Sequence, residues 1–574
     1  MSETTEATGA KEPYPWLANY PESVDWNAEI PVKPLYDLLD HGVATYAKNI
    51  AIDFLGKTYT YEEIGDLVRR AAKGLQGLGV GKGVQVGLFL PNSPYYVILY
   101  FAILKTGATV VNFNPLYVER ELIHQIEDSE VDLMVTLDLK ILHEKLAPLM
   151  DRTRLARLVI CKMADVLPFP KNLLFPVFKG KEIASIPSDS RHVRFAELIA
   201  NDGAYTPVDI NPETDIALLQ YTGGTTGVPK GAMLTHKNVY ANAIQGYLWF
   251  EQANVKGSIT SIGVLPLFHV LAMTVIMNYS VYTGSKMVLL PRFEMEQLLA
   301  TITRTKPDLF TGVPTLFSAI NTYPNLDKYD LSSLKYCLSG GAGLPVEVKQ
   351  RFEEITGCRL FEGYGLSECS PIAAANPIEG ENKPGSIGLP CPATVIEIVS
   401  IEDGETVMPV GEKGEICIRG PQVMAGYWKR PDATAETIRN GRLHTGDVGT
   451  MDAQGYTYIV DRLKEVILAG GYNVYPRNVE EAIYMHPAVA EAAVIGVPDP
   501  YRGQTVKAFV TLAEGASLSE EELTDFLKDK LSAIEMPKLV EFRDELPKSA
   551  IGKILKKVLV AEEMKKTEGA KTPG

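Results

Sequence analysis

The sequence is poor in the features that mark nucleic-acid-binding, disulfide-rich and membrane-spanning proteins. Acidic residues outnumber basic ones by 71 to 56 and the net charge is −15, which argues against the basic surface that nucleic-acid binding needs. The six cysteines form no CxxC pair and no zinc-ligand spacing, which favours reduced thiols in a cytosolic protein. The apolar stretch that begins at Tyr95 is interrupted by Lys105 and Gly107, so we expect no membrane span.

The length of 574 residues exceeds what one hydrophobic core usually supports, so we expect at least two domains. The polar, acidic N-terminus is not typical of a secretory signal or a transit peptide. We predict a disordered lead-in over residues 1–30 and a flexible tail over residues 563–574.

The hydrophobic pattern divides the chain. From about residue 84 to 370, short apolar runs alternate with amphipathic segments, which predicts an α/β sheet with mainly parallel strands and helices on its faces. From about 390 to 461, short β-branched and aromatic runs separated by glycine-rich turns predict a β-rich subdomain. We therefore predict a large domain over 31–461 and a small, mobile α+β C-terminal domain over 462–562.

The stretch LLQYTGGTTGVPKGAMLTH, residues 218–236, has the composition of a phosphate-binding loop. It is not a Walker loop, because Val228 and Pro229 precede Lys230 where that motif requires a glycine. Glycines beside Thr225 and Thr226 can still present backbone N–H groups and hydroxyls to an anion. The alternative is a flexible surface loop.

This stretch and five others resemble the acyl-adenylate-forming superfamily, which includes acyl-CoA synthetases, firefly luciferase and the adenylation domains of peptide synthetases. The other five follow in the family's order over nearly the whole chain. They are FEGYGLSECSP (361–371), GEICIRGPQVMAGYW (414–428), GRLHTGDVG (441–449), DRLKEVILAGGYNVYPRNVEE (461–481) and LPKSAIGKILKKVL (546–559). Within the superfamily, PLFHVLAMT and EGYGLSECSP look most like the bacterial long-chain fatty acyl-CoA ligases.

The resemblance implies a two-step reaction with ATP, Mg²⁺ and coenzyme A, in which a fatty acid becomes acyl-AMP and then acyl-CoA. It also assigns residues to each part of the nucleotide site. The phosphates would contact Thr222, Gly223, Gly224, Thr225, Thr226 and Lys230; the adenine and AMP would contact Gly341, Ala342, Glu362, Gly363, Tyr364, Gly365 and Ser367; and the ribose would contact Asp447 and Arg462. Glu368 would carry Mg²⁺, a hard cation that prefers oxygen ligands.

The resemblance makes Lys553 the catalytic lysine of the first step, where it would bridge the substrate carboxylate and the α-phosphate. A solvated basic run is the alternative, but LPKxxxGK with glycine before the lysine favours the catalytic role. Since one site must serve two reactions, the small domain should rotate, with Lys464 as hinge and Gly470 and Gly471 facing the pantetheine tunnel. For the two glycines, an ordinary glycine turn is the alternative.

At the acyl end, His269 would lie between the carboxylate and the acyl pocket, with a core histidine as the alternative. The uncharged run after it, which includes Met273 and Met277, suits either an acyl tunnel or a buried helix. The stretch VLPFPKNLLFPVFKGKE (166–182) mixes apolar residues with lysines, which suits peripheral contact with an anionic inner membrane as well as a plain surface loop. A homodimer is a further open expectation.

The favoured function is thus a long-chain fatty acyl-CoA ligase. Its nearest rivals are an aryl- or medium-chain acyl-CoA ligase and a fatty acyl-AMP ligase, which share every phosphate motif. A rival from another class is a non-catalytic protein that binds fatty acids and couples to their transport. A metal-binding carboxylate and a mobile lysine would have no use in such a binder.

Overall fold

The computed structural model describes residues 14–222, 229–251, 257–469, 472–499, 502–550 and 552–569. Its α-helices are α1 Asp37–Tyr46, α2 Tyr61–Gly77, α3 Pro94–Lys105, α4 Glu119–Ser129, α5 Lys140–Leu146, α6 Lys171–Phe178, α7 Phe195–Leu198, α8 His236–Trp249, α9 Val270–Ala272, α10 Tyr279–Thr283, α11 Met295–Thr305, α12 Pro314–Asn321, α13 Val346–Thr356, α14 Pro431–Thr437, α15 Pro476–Tyr484, α16 Glu520–Leu527 and α17 Lys556–Gly569.

The strands follow the same alternation. They are β1 Ile50–Phe54, β2 Lys57–Thr60, β3 Gln85–Leu88, β4 Thr109–Asn112, β5 Leu133–Leu137, β6 Arg157–Cys161, β7 His192–Arg194, β8 Ile216–Thr222, β9 Lys230–Thr235, β10 Thr260–Gly263, β11 Lys286–Leu289, β12 Leu309–Gly312, β13 Tyr336–Ser339, β14 Arg359–Gly365, β15 Ile372–Ala375, β16 Leu389–Pro390, β17 Val395–Val399, β18 Gly414–Arg419, β19 Gly426–Tyr427, β20 Ile438–Arg439, β21 Arg442–Met451, β22 Thr457–Arg462, β23 Ile467–Ala469, β24 Tyr472–Val474, β25 Val489–Asp499, β26 Gly503–Leu512 and β27 Leu539–Phe542.

Two mainly parallel sheets form most of the large domain. In the described residues, one has the strand order β19-β9-β8-β4-β3-β5-β6-β7 and the other β16-β15-β14-β13-β12-β10-β11-β1-β2. Strands β8 to β7 of the first sheet and β14 to β1 of the second pair in parallel, while the flanking strands pair antiparallel. Helix α3 is buried at every position, as expected for a helix that is apolar all round. The predicted α/β class is confirmed.

The β-rich subdomain is an antiparallel sheet of β17, β18, β21 and β20, with β22 paired to β21. The C-terminal part forms a separate sheet of β24, β23, β26 and β25, with β27 added in parallel to β26. Buried apolar residues up to Tyr456 form one core, whereas those from Ile467 onward form cores of their own. A large domain and a small C-terminal domain are therefore distinct in packing, and the boundary at residues 461–462 stays a prediction.

The structure describes residues 14–30 and 563–569, which belong to the two segments predicted to be disordered or flexible, as folded. Residues 14–30, assigned above to a disordered lead-in, pack against the large domain: Trp16 is buried, and the Tyr14 ring stacks on it with centroids 4.7 Å apart. The Trp26 indole N–H donates to the Thr394 carbonyl oxygen at 3.0 Å. Helix α17 runs to Gly569, past residue 563 where a flexible tail was expected. The physical reason is the same at both ends, since aromatic or charged side chains find partners on the folded body.

Among the described residues, no helix combines the length and apolarity that a bilayer crossing requires. All six cysteines are buried and unpaired, which fits the expectation of reduced thiols.

Candidate active site

Two adjoining cavities lie where the small domain meets the large one. The smaller has a volume of about 260 Å³ and the larger about 660 Å³. Their shared wall includes Gly341, Gly363, Tyr364, Arg462 and Lys553. Strands β13 and β14 end at this wall, as expected for a ligand site at the carboxyl ends of parallel strands.

The smaller cavity collects most of the residues predicted to contact adenine and ribose. Asp447 is buried there; it accepts a hydrogen bond from the Tyr364 hydroxyl at 2.6 Å and forms an ion pair with Arg462, Oδ1 to Nε, at 3.0 Å. The Asp447 carboxylate in turn raises the pKa of Arg462. An ionised carboxylate offers about four lone-pair sites, so Asp447 can accept two further hydrogen bonds from a ligand. Of the predicted nucleotide residues, Gly341, Ala342, Glu362, Gly363, Tyr364, Gly365, Asp447 and Arg462 line this cavity.

Glu362 is a buried acid at the edge of the same cavity, with 6% of the residue exposed. Burial raises its pKa to about 7, although the charge of Arg477 acts in the opposite direction. The Leu344 backbone N–H donates to its Oε2 at 3.2 Å. Glu362 therefore ties the loop that follows β13 to strand β14.

The larger cavity has an apolar side formed by helix α8 and by the segment that leads into α9. It is lined by Gly246, Trp249, Phe250, Phe268, His269, Val270, Leu271 and Ile372. Burial, and then the charge of Lys553, lower the pKa of His269 to about 4, so its ring is neutral at physiological pH. The His269 Nδ1 accepts a hydrogen bond from the Leu271 backbone N–H at 3.4 Å and caps α9.

The apolar run after His269 is mainly core. Residues Met273–Asn278 form a π-helix in which every residue is buried, and neither Met273 nor Met277 lines the cavity. Of the two interpretations left open for this run, the structure supports the buried helix. Only its first residues face the cavity. π-Helices are rare, and those that occur are frequently found at functional sites.

Lys553 comes from the small domain. It follows Gly552, whose carbonyl oxygen accepts a hydrogen bond from Thr315 Oγ1 on α12 at 3.0 Å. Burial, and then the charge of Arg462, lower the pKa of Lys553 to about 8, while Asp447 and Glu465 act in the opposite direction. The lysine is thus not part of a solvated basic run, because it is held between the two cavities.

The phosphate side of the site is described in part. Thr222 and Lys230 pair at the ends of β8 and β9, and the Lys230 Nζ lies 5.0 Å from the centroid of the Tyr427 ring. The predicted phosphate-binding residues Gly223, Gly224, Thr225 and Thr226 lie outside the described residues, as do Gly470 and Gly471. Lys464 is exposed in the connection between β22 and β23.

Ser367 and Glu368 line the larger cavity in the short turn after β14. The Glu368 Oε1 accepts a hydrogen bond from the Tyr427 hydroxyl at 2.7 Å. Gly365 begins this turn, and a Cβ added to it would lie 1.7 Å from the Pro371 carbonyl oxygen. Only glycine therefore fits where the chain turns to present Glu368.

Comparison with known proteins identifies the family. Residues 39–428 match the AMP-binding enzyme family, and residues 478–553 match the AMP-binding enzyme C-terminal domain. The chain belongs to the AMP-binding enzymes. The predicted resemblance to the acyl-adenylate-forming superfamily is confirmed.

Individual relatives of this AMP-binding enzyme cover almost its whole length. The long-chain-fatty-acid–CoA ligase of Bacillus subtilis is 47% identical over 96% of this chain and 98% of that protein. The ligase of the same name from Escherichia coli O6:H1 is 40% identical over 95% of this chain and 97% of that protein. Among solved structures, the anthranilate CoA ligase AuaEII in complex with anthranoyl-AMP superposes with a TM-score of 0.82 at 27% identity, covering 94% of this chain and 99% of that one.

The residues around Glu368 fit the Mg²⁺ that an AMP-binding enzyme implies. Glu368 and Thr222 both line the larger cavity and their side chains offer oxygen ligands, which hard divalent cations prefer. Tyr427 donates to one oxygen of this carboxylate, and Glu368 lines the cavity.

A second group of metal-ligating residues lies in the β-rich subdomain of the AMP-binding enzyme. Among the described residues, Glu415, Cys417 and His444 bring one ligand atom each within 4.8 Å of the others. The Arg439 guanidinium lies 2.7 Å from the His444 Nδ1, and the Glu415 Oε2 lies 2.7 Å from the same atom. The Arg439 guanidinium, which lies next to both His444 and Glu415, opposes a cation there, so this group is a packed polar cluster.

Three residues of the site escaped the sequence analysis: Thr315, Tyr427 and Arg477. Tyr427 lies in the quoted stretch GEICIRGPQVMAGYW, but no spacing within that stretch links it to Glu368, which is 59 residues away. Thr315 and Arg477 contact the opposite domain, and contacts between domains leave no periodic signal in a sequence.

Proposed function

We propose that the protein activates long-chain fatty acids with ATP and transfers them to coenzyme A. In the first step a carboxylate oxygen attacks the α-phosphorus of ATP, which forms acyl-AMP and releases pyrophosphate. In the second, the thiol sulfur of coenzyme A attacks the acyl carbon, loses its proton and displaces AMP. The enzyme class is an AMP-forming acid–thiol ligase.

The observation that carries this proposal is the position of Lys553. Lys553 lines both cavities. One is the polar cavity lined by Asp447 and Tyr364, and the other is the cavity with an apolar side that is lined by His269. The shared wall of these cavities is where the anhydride between an acyl group and AMP forms, and where negative charge accumulates. In this orientation of the small domain the charge is already in place when the anhydride forms.

The remaining roles follow the same division. In the proposal Asp447 accepts hydrogen bonds from the ribose hydroxyls, Tyr364 stacks on adenine, and His269 lies beside the substrate carboxylate. The glycine- and threonine-rich loop from Thr222 to Lys230 binds the β- and γ-phosphates. When bound at Glu368, Mg²⁺ supplies positive charge to the phosphate oxygens.

The test is the Lys553→Ala variant, assayed separately for the two steps. Pyrophosphate release should fall about 10²–10³-fold, the scale of losing one charge-stabilising group. Acyl transfer to coenzyme A from supplied acyl-AMP should change much less. Lys565→Ala is the matched control, because Lys565 is exposed on α17 of the same domain. Near-normal pyrophosphate release by Lys553→Ala would refute the assignment.

The second step requires the site to open for the pantetheine arm. We propose that the small domain rotates about Lys464, which lies between strands of the two domains, and brings Gly470 and Gly471 to the tunnel. Lys464→Pro, which restricts the backbone φ angle, should slow acyl transfer more than adenylation. Equal effects on both steps would contradict the hinge.

The choice among acids rests on the larger cavity. Its apolar lining by Trp249, Phe250, Phe268 and Leu271 supports a long acyl chain. An aromatic acid is the alternative substrate, because one structurally similar protein is an anthranilate CoA ligase solved with anthranoyl-AMP. Pyrophosphate release with palmitate, octanoate and coumarate, with and without coenzyme A, separates the long-chain ligase from an aryl ligase, a fatty acyl-AMP ligase and a non-catalytic binder.

Peripheral contact with an anionic bilayer is a separate part of the proposal. Helix α6 and the residues before it expose an apolar surface that includes Phe169, with 80% exposed, and Phe178, with 76%. Lys171, Lys179 and Lys181 are exposed beside it. Apolar side chains with flanking lysines adsorb to anionic headgroups.

Vesicle sedimentation tests this contact. The wild type should sediment with vesicles that contain phosphatidylglycerol more than with phosphatidylcholine alone, and Phe169→Asp with Phe178→Asp should abolish the difference. Val410→Asp is the control, since Val410 is also an exposed apolar residue, with 55% exposed, and lies on the β-rich subdomain. Equal sedimentation of wild type and double variant would end the idea. A homodimer, also proposed, is tested by sedimentation equilibrium without lipid.

A further inference from the structure

Arg477 crosses from the small domain to the rim of the smaller cavity. It lies in the first turn of α15, and its backbone N–H donates to Asp461 Oδ2 at 2.9 Å. Its side chain is 16% exposed and packs on the loop after β13, where a Cβ added to Gly343 would lie 2.6 Å from its Nη2. The guanidinium is therefore in contact with the large domain.

Arg477 lines the smaller cavity together with Glu362, and the loop on which it packs is bonded to Glu362 through the Leu344 N–H. Among the described residues, Arg477 is the cation whose charge lowers the pKa of this buried carboxyl, and Glu362 in turn raises the pKa of Arg477. Arg477 is also paired within its own helix to Glu481, Nε to Oε1, at 2.9 Å. The small domain thus supplies the positive charge for a buried acid of the large domain.

A second contact between the domains lies beside Lys553. Thr315 Oγ1 donates to the Gly552 carbonyl oxygen, and the Gly552 φ of +81° belongs to the left-handed region. The two contacts fix the small domain at two separate points. Both must break if the small domain rotates for the second step.

We propose that Arg477 is a positioning residue for adenylation: through its charge interaction with Glu362 across the domain boundary, it holds the small domain in the orientation that places Lys553 in the site. This inference rests on the proposed two-step function. Arg477 itself touches neither the reacting carboxylate nor the α-phosphate in this account. Its effect on the reaction passes through Lys553.

The test replaces Arg477 by methionine, which keeps an apolar stem and removes the charge. Pyrophosphate release should fall about 10- to 100-fold, because the guanidinium charge that acts on buried Glu362 across the domain boundary is lost. Acyl transfer from supplied acyl-AMP should stay within about threefold of wild type, because the contact is broken in that step. Arg477→Lys should recover part of the first step.

Arg543→Met is the matched control for loss of an arginine from the small domain. Arg543 is 19% exposed and pairs with Glu541 and Glu562 at 2.8 Å within that domain. Its loss should lower the stability of the small domain without separating the two steps. If Arg477→Met slowed both steps equally, or slowed neither, the inference would be overturned.

A double-mutant cycle between Arg477→Met and Glu362→Gln gives an independent measurement. The two substitutions should be coupled in the first step and additive in the second, because the pair exists only in the adenylation orientation. Thr315→Val should act in the same direction as Arg477→Met. If Arg477→Met did not slow pyrophosphate release selectively while Lys553→Ala did, this inference alone would be refuted. If Lys553→Ala did not slow pyrophosphate release, the proposed function would be refuted.

Discussion

Gly246 sets the width of the larger cavity, and a leucine at this position should shorten the acyl chains that the enzyme accepts. Gly246 lies in α8 and lines the cavity. A Cβ added there would meet only Ile372 Cδ1, at the ordinary contact distance of 3.9 Å. The remaining atoms of a leucine would therefore extend into space that the acyl chain is proposed to use.

The magnitude follows from the volume that leucine takes. The leucine side chain, with about four heavy atoms, takes the place of roughly four methylene groups of the acyl chain, and burial of each contributes about 0.8 kcal/mol. The sum, about 3 kcal/mol, corresponds to roughly a hundredfold loss in kcat/KM for palmitate. Octanoate, which leaves the far end of the cavity free, should stay within about twofold. The helix should not be weakened, because leucine favours helix more than glycine by about 1 kcal/mol.

The assay is pyrophosphate release with palmitate, laurate and octanoate. Gly77→Leu is the control, because Gly77 ends helix α2 and an added Cβ meets no atom within 4 Å. Equal losses with palmitate and octanoate would refute the reasoning, since the substitution would then act on folding or on the reacting end. Unchanged palmitate activity would show that the acyl chain does not pass α8.

Three further predictions concern the reacting end. The pKa of Lys553 is lowered to about 8, so its charged form is lost as pH rises through that value. The kcat/KM for adenylation should therefore fall above about pH 8. Lys553→Arg should remove this fall, because a guanidinium stays charged. Tyr427→Phe removes a hydrogen bond to Glu368, so the Mg²⁺ concentration for half-maximal activity should rise about tenfold, with no change counting against the metal assignment. Gly365→Ala places a methyl group against the Pro371 carbonyl oxygen, so the melting temperature and the activity should both fall; a fully active, equally stable variant would contradict the turn geometry.

The fold class could be predicted because it depends on local periodicity. Strands such as β5 and β6 are short runs of buried apolar residues, and helices such as α11 carry one apolar face. Such patterns are set by neighbours in the sequence. The N-terminal segment had no such pattern, although its aromatic residues Tyr14, Trp16, Tyr20 and Trp26 were a signal that it finds a surface to pack on.

The candidate site was predictable motif by motif and unpredictable in its contacts. Gly365 and Glu368 lie in one turn, so their relation is visible in the sequence. The hydrogen bond from Tyr427 to Glu368 joins strand β19 to the turn after β14, which is far away in the sequence, and the approach of Arg477 to Glu362 depends on how two domains meet. No residue spacing encodes a domain orientation.

The N-terminal segment has a consequence for the order of events during synthesis. The Tyr20 hydroxyl donates to the Pro390 carbonyl oxygen, and this partner is 370 residues further along the chain. At about 5–20 residues per second, a ribosome needs roughly 20 to 75 s to reach it. The side chains of Tyr20 and Trp26 therefore remain exposed until the β-rich subdomain has been synthesised. Their docking then closes one of the longest loops in the protein, after most of the large domain has been made.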